Sequence, residues 1–198
     1  MPCQTVSPDQ ACELVHSTGA RLIAVDGLPC SGKSTLVARL VTDFGIQTVP
    51  LDDFFLPLAE WPSDISPSFP FPFYRYAAFL SAVEELAVRG SCEYLPFDWN
   101  DMRTSEKPRT VHLADGAVAV DGTSSLHPKI TPLYDIRFFI ESDDAIIESI
   151  LERDGTFFEK EWRTLWLPSV EVYMQTNPRI RADFLVAGRG VVTDPDAA

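Results

Sequence analysis

A glycine-rich segment near the amino terminus carries the residue types that hold phosphate groups. It reads Gly-Leu-Pro-Cys-Ser-Gly-Lys-Ser and matches the pattern G-x-x-x-x-G-K-[ST]. In this pattern glycines let backbone N–H groups curl around an anion, the lysine reaches the terminal phosphates and the last hydroxyl binds Mg²⁺. The alternative is a glycine-rich turn with an exposed lysine. The predicted nucleotide-binding residues are Gly27, Cys30, Ser31, Gly32, Lys33, Ser34 and Thr35, with Lys33 also catalytic and Ser34 also a metal ligand.

Acidic residues follow two of the apolar segments. Asp52 and Asp53 come directly after the apolar segment 46–51, and Asp121 comes directly after the apolar segment 117–120. Ligands of parallel α/β sheets bind at the carboxyl ends of the strands, so these acids should face the phosphates. Asp52 is predicted to accept the proton of an attacking hydroxyl, and Asp53 and Asp121 to hold Mg²⁺. The alternative is that these acids only cap turns.

Cations and aromatic side chains complete the set of candidate site residues. Arg153 lies in a segment, residues 153–165, that also contains Lys160 and Arg163 and that we expect to form a lid over the transferred phosphate. These cations could instead pair with neighbouring glutamates on the surface. Phe55 belongs to a proline- and aromatic-rich loop, residues 52–73, and could stack on a flat substrate ring or pack within the loop.

The elements that position these residues follow from hydrophobic patterning. Strands are predicted at 21–26, 46–51, 92–97, 110–113, 117–120, 136–140 and 184–186, and helices at 7–17, 33–44, 74–89, 143–153 and 160–176, the last kinked or restarted at Pro168. Buried strands that alternate with helices indicate an α/β fold with a mostly parallel sheet covered on both faces. We expect a single domain over residues 1–198 and a frayed tail after Gly188.

Composition excludes several classes of protein. The 198 residues carry a formal net charge of −13, which argues against a broad nucleic-acid surface. Apolar runs are too short to cross a membrane, and the first residues lack a secretory signal, so we expect a cytoplasmic protein. The four cysteines lack the spacing of a zinc site or a disulfide framework. The D-x-x-G and N-K-x-D motifs of GTPases are missing from the sequence, so a small-molecule phosphotransferase fits best.

Taken together, these motifs resemble the uridine kinase and phosphoribulokinase-like branch of P-loop kinases, which includes the nicotinamide riboside kinases. The resemblance spans about residues 21–187 and rests on VDGLPCSGKST, LDDFF, PFDWN, VAVDGTSSLHPKITPLYDIRFFIES and the Arg153-Asp154 pair. Three features depart from the family pattern. Residues 69–75 lack the acidic, His-Pro-containing element with which the family often opens the helix after the substrate loop. Asp121 stands where the family usually has glutamate, and the lid segment lacks the family's R-G-R string.

The resemblance implies a three-layer P-loop fold with a parallel sheet of about five strands flanked by helices. It also implies ATP and Mg²⁺ as cofactors and transfer of the γ-phosphate to a primary hydroxyl, commonly the 5′-hydroxyl of a nucleoside. Asp52 matches the general base of the family and Arg153 a lid arginine, while Asp98 and Trp99 match a substrate-side element.

The leading hypothesis is an ATP-dependent kinase of the uridine kinase type, whose partner is a small-molecule hydroxyl acceptor, most favourably a nucleoside. One alternative is a kinase of a sugar or a pantothenate-like alcohol. Another is a nucleotide-binding regulatory module without turnover. We expect neither a nucleic-acid nor a membrane partner, and the chain could form a homodimer.

Overall fold

Six parallel strands form the central sheet of the protein. The structure, a computed structural model of the chain, describes residues 4–142 and 146–189. The sheet strands are β1 (Gln4–Val6), β2 (Leu22–Gly27), β3 (Gln47–Pro50), β8 (Val118–Asp121), β9 (Ile136–Glu141) and β10 (Phe184–Ala187). They lie in the order β1-β10-β9-β2-β8-β3, and every neighbouring pair is parallel. The α/β fold with a parallel sheet is confirmed; the sixth strand is the short edge strand β1, which the sequence pattern did not predict.

Helices and small hairpins cover the sheet. The helices are α1 (Pro8–Thr18), α2 (Lys33–Phe44), α3 (Tyr76–Arg89), α4 (Ile146–Asp154), α5 (Glu159–Glu161) and α6 (Leu167–Met174). Outside the central sheet, β4 (Ser91–Tyr94) pairs with β7 (Arg109–His112), and β5 (Phe97–Asp98) pairs with β6 (Arg103–Thr104), both antiparallel. No helix in the described ranges is long and apolar enough to cross a membrane.

The central strand β2 shows why the sheet is buried on both faces. All six of its residues are buried. Leu22 and Ala24 belong to the core that includes α3, whereas Ile23 and Val25 belong to the core under α1 and α2. Side chains alternate between the faces of a strand, so an unbroken apolar run is what a doubly covered strand requires.

Local signals set the ends of the first two helices. The side chain of Ser7 accepts the backbone N–H of Gln10, and the Gln10 side chain accepts the backbone N–H of Ser7, which is a complete capping box before α1. Gly45 ends α2 in the left-handed conformation and donates its N–H to the carbonyl of Val41 at 3.0 Å. Both helices were therefore predicted to within one or two residues.

Two predicted elements differ from the structure. The predicted strand 92–97 is divided into β4 and β5, because Pro96 lacks the N–H group that a continuous ladder needs. The predicted helix 160–176 is helical from Glu159 to Met174, but the five residues from Trp162 to Trp166 form a π-helical turn just before Pro168. Pro168 lies in the first turn of α6, so the predicted restart at the proline is confirmed, and the altered helix geometry lies in the turn before it. Residues 143–145 of the predicted helix 143–153 and the predicted frayed tail from residue 190 lie outside the described ranges.

Candidate active site

A cavity of about 910 Å³ opens at the carboxyl ends of β2, β3 and β8. Three chain segments lead from these strand ends into it. The phosphate loop, residues 27–34, joins β2 to α2; the loop after β3 contains Asp52; and Asp121 ends β8. Parallel strands place their carboxyl ends at one edge of the sheet, which is why segments far apart in sequence meet here.

The phosphate loop has a backbone that favours glycine at its first position. Gly27 has φ +149°, and a Cβ there would lie 2.6 Å from the carbonyl oxygen of Ile140. Lys33 bends back over the loop, where its Nζ donates to the carbonyls of Gly27 at 3.0 Å and Leu28 at 2.6 Å. Burial lowers the pKa of Lys33, and nearby acids oppose that shift. The other predicted nucleotide-binding residues all line the cavity; they are Cys30, Ser31, Gly32, Ser34 and Thr35.

Asp52 lies at the cavity beside a tyrosine. It belongs to a 3₁₀ turn, Leu51–Phe54, that follows β3 directly. The hydroxyl of Tyr74 donates to Asp52 Oδ1 at 2.6 Å. Burial raises the pKa of Tyr74 well above its ordinary value, and the negative charge of Asp52 adds to the shift, so Tyr74 remains a donor near neutral pH. This hydrogen bond holds one carboxylate oxygen of Asp52 in place at the cavity.

Asp53 lies apart from the other predicted site residues. Its Oδ2 accepts hydrogen bonds from the hydroxyl of Tyr94 at 2.8 Å and from Nη1 of Arg109 at 2.9 Å. It does not line the cavity. Consecutive residues of a 3₁₀ turn point in directions about a third of a turn apart, so Asp52 and Asp53 face different surroundings. The structure thus places Asp53 in an ion pair with Arg109 outside the cavity lining, although its charge still acts on Asp121.

Asp121 is the second acid at the cavity. Burial raises its pKa to about 7; the charge of Asp52 adds to this, and Lys33 opposes it. Its Oδ1 is buried without a hydrogen-bond partner among the described residues, and so is the hydroxyl of Ser31 in the phosphate loop. Two unsatisfied oxygens beside a lysine and a helix amino terminus fit a site for a phosphate together with its metal ion.

Of the remaining predicted site residues, some line the cavity and one does not. Phe55, Trp99 and Arg153 line the cavity. Asp98 does not: its Oδ1 accepts the backbone N–H groups of Asn100 at 2.9 Å and Asp101 at 3.3 Å and so shapes the turn after β5. A single sequence could not distinguish this turn from a substrate contact, because aspartate is common in both.

Sequence reasoning missed several residues at the site. Arg189 lines the cavity, its backbone N–H donates to the carbonyl of Ser31 at 3.1 Å, and its guanidinium lies 3.7 Å from Glu152. No sequence motif or spacing around Arg189 indicated that it would lie at the site. Also missed were most of the aromatic wall, which comprises Phe71, Phe73, Tyr74, Phe157, Phe158, Trp162 and Trp166 besides Phe55 and Trp99.

The chain was compared with protein-family models, curated protein sequences and solved structures. Neither a protein-family model nor a curated protein sequence matches the chain. A candidate uridine kinase from Bacillus stearothermophilus superimposes with a TM-score of 0.69 at 17% identity, over 90% of this chain and 96% of the other. The chain has the P-loop kinase fold.

Two further structures share the P-loop kinase fold. A candidate fructose transport system kinase from Silicibacter sp. TM1040 has a TM-score of 0.61 at 16% identity, over 91% of this chain and 98% of the other. A candidate P-loop kinase with a circular permutation from Saccharomyces cerevisiae has a TM-score of 0.56 at 11% identity, over 93% of this chain and 98% of the other. The likeness extends over nearly the whole of each chain.

Proposed function

We propose that this protein is a kinase that transfers the γ-phosphate of ATP to a hydroxyl of a small molecule. The observation that carries the proposal is the placement of Asp52 and the phosphate loop in one cavity. Such a kinase needs a site for the triphosphate and a carboxylate that can take the proton of the acceptor. The likeness to three candidate kinases over nearly the full chain supports the same conclusion.

The phosphate loop would hold the triphosphate. The first N–H groups of an α-helix have no partner within the helix, so the amino end of α2 can donate to phosphate oxygens. Lys33 would exchange its hydrogen bonds to Gly27 and Leu28 for bonds to the phosphates. Ser34 and Asp121 would hold Mg²⁺, which when bound neutralises charge on the phosphates.

Asp52 would orient the acceptor hydroxyl and take its proton. The hydrogen bond from Tyr74 fixes its carboxylate, and fixed geometry is what general-base catalysis requires. Arg153 and Arg189 line the same cavity. Guanidinium groups there would stabilise negative charge that develops on the transferred group.

A nucleoside is the acceptor that we favour. The aromatic wall beside Asp52 suits a flat base better than it suits a sugar or a pantothenate-like alcohol, because aromatic rings stack on one another. The sequence motifs shared with the uridine kinase type point to the same substrate.

The proposal is tested by measuring acceptor-dependent ADP formation with Mg-ATP and identifying the products by mass. Pooled nucleosides, sugars and vitamin alcohols serve as acceptors, and Asp52→Asn is the control. We expect a product heavier by one phosphate that is absent with the variant. ATP binding without any phosphorylated acceptor would contradict the proposal and favour a nucleotide-binding module without turnover.

A further inference from the structure

The segment after β8 is bonded to the start of the phosphate loop. The hydroxyl of Thr123 donates to the carbonyl of Gly27 at 2.9 Å. The backbone N–H of Ser124 donates to Asp26 Oδ1 at 3.0 Å, and the same oxygen accepts the N–H of Gly27 at 2.6 Å. These bonds fix the position of Ser124 relative to the first residue of the phosphate loop.

Ser124 also bonds to the first residue of α3. Its hydroxyl and that of Tyr76 share a hydrogen bond, and both residues are buried. Burial raises the pKa of Tyr76, so its phenol stays protonated near neutral pH. The backbone of Ser124 has φ 92°, a conformation that glycine adopts freely and that is costly for other residues. The backbone alone thus favours glycine at this position, whereas the hydroxyl of the serine has a partner.

Tyr76 lies in the same short segment as Tyr74, which bonds Asp52. The rings of the two tyrosines lie edge to face with their centroids 6.2 Å apart. The backbone between them is tied to the turn that contains Asp52, because the N–H of Arg75 donates to the carbonyl of Phe54 at 2.8 Å. A displacement of Tyr76 would therefore move the hydroxyl that holds the carboxylate of Asp52.

These contacts form one continuous connection between the phosphate loop and the proposed general base. It runs through Gly27, Asp26, Ser124, Tyr76, Tyr74 and Asp52. Phosphoryl transfer needs the acceptor oxygen and the γ-phosphate roughly in line, and a misplacement of about 1 Å can lower a rate by about 100-fold. Groups that fix the carboxylate relative to the phosphate loop therefore bear on kcat.

We propose that Tyr76 and Ser124 are positioning residues, whose hydrogen bond holds Asp52 in a fixed place relative to the phosphate loop. Neither residue lines the cavity, so both act on the reaction through Asp52. The inference rests on the proposed kinase function and adds to it two residues outside the binding cavity.

Removal of the Tyr76 hydroxyl tests the inference by steady-state kinetics with the best acceptor of the panel. We expect Tyr76→Phe to lower kcat about tenfold with KM for ATP within about twofold of wild type, because the phosphate loop itself is unchanged. Tyr134→Phe is the matched control: it removes another buried hydroxyl, which bonds the same segment at the carbonyl of Ser125 and lies outside the cavity lining. Its kcat should stay within about twofold of wild type. Thermal unfolding checks that both variants fold, and an unchanged kcat in folded Tyr76→Phe would overturn the inference.

The Asp52→Asn background separates positioning from a general loss of structure. If Tyr76 acts through Asp52, adding Tyr76→Phe to Asp52→Asn should lower kcat by less than about twofold. A merely structural role would lower kcat by the same factor in both backgrounds, and that result would overturn the inference. A wild-type chain that phosphorylates no acceptor would instead refute the proposed function, and the inference would fall with it.

Ser124→Gly tests the other end of the same bond. Glycine suits φ 92°, so this variant removes the hydroxyl without straining the backbone. We expect kcat to fall by about the same factor as in Tyr76→Phe, and the double variant to fall little further, because both changes break one bond. An unchanged kcat in folded Ser124→Gly would contradict the positioning role.

Discussion

The hydroxyl of Tyr173 donates a hydrogen bond to the fully buried carboxylate of Asp26, although 147 residues separate the two in the chain. Asp26 also accepts the backbone N–H groups of Gly27 at 2.6 Å, Ser124 at 3.0 Å and Leu126 at 2.7 Å. One side chain thereby joins α6, the start of the phosphate loop and the segment after β8. Burial raises the pKa of Asp26 and these four hydrogen bonds oppose the shift, since four donors match an ionised carboxylate.

Removing the hydroxyl of Tyr173 should lower the stability of the fold. We expect Tyr173→Phe to lower the free energy of unfolding by about 1.5–3 kcal/mol, because a buried carboxylate loses a charge-assisted donor. Tyr134→Phe is the matched comparison: its hydroxyl donates to the neutral carbonyl of Ser125 at 3.0 Å, so its loss should cost about 0.5–1.5 kcal/mol. Urea unfolding of the two variants measures both values. A smaller loss in Tyr173→Phe than in Tyr134→Phe would contradict the role assigned to this bond.

The Asp26 network could not be found from the sequence, and the reason is physical. Asp26 follows a run of apolar strand residues, and its partners lie on elements whose positions depend on the whole sheet. The phosphate loop was found because all its features are local: spacing, glycine conformation and the strand and helix on either side. Strand β2 and helix α2 were predicted for the same reason, whereas the edge strand β1 depends on pairing with β10 at the other end of the chain.

The neighbouring acids Asp52 and Asp53 allow a test of the catalytic role proposed for Asp52. We expect Asp52→Asn to lower kcat by about 10²–10⁴-fold with ATP binding retained, since an amide cannot take the acceptor proton. Asp53→Asn should keep most of the kcat but lower stability, because Asp53 pairs with Arg109 and Tyr94. Steady-state kinetics, nucleotide titration and urea unfolding on both variants separate the two effects. Equal losses of kcat in the two variants would refute the division of roles between these neighbours.

This pair also shows where sequence reasoning about the site ends. Both acids follow the same predicted strand, residues 46–51, and both are aspartates, so residue type does not distinguish them. The 3₁₀ turn sends one to the cavity and the other to Arg109, on the antiparallel hairpin of β4 and β7. The turn and the position of that hairpin together leave Asp52 at the cavity and give Asp53 its ion-pair partner.

The raised pKa of Asp121 predicts a pH dependence of stability in the metal-free protein. Its ordinary pKa is 3.8 and its pKa in the folded protein is about 7, so the folded state binds the proton more tightly than the unfolded state. The stabilisation from this group is therefore complete below about pH 4 and is lost as the pH rises through about 7. Asp121→Asn imitates the protonated form and lacks this loss.

Urea unfolding with a chelator at several pH values between about 5 and 8 checks the prediction for Asp121. The wild-type free energy of unfolding should fall relative to that of Asp121→Asn as the pH rises. Asp115→Asn removes an exposed acid and serves as the control, with a curve that runs parallel to the wild type. Parallel curves for Asp121→Asn and the wild type would mean that Asp121 is not protonated in the folded state.

Cys30 offers a chemical test of the phosphate loop. It has φ 59°, is half-buried and lines the cavity, whereas Cys12 and Cys92 are buried in the core. We expect iodoacetamide to block ATP binding, because the added group would occupy space beside the phosphates, and we expect Mg-ATP to slow the labelling. Cys30→Ser carries no thiol at this position and should bind ATP after the same treatment. Mass spectrometry locates the label, and unchanged ATP affinity in protein alkylated at Cys30 would show that its side chain does not border the phosphate site.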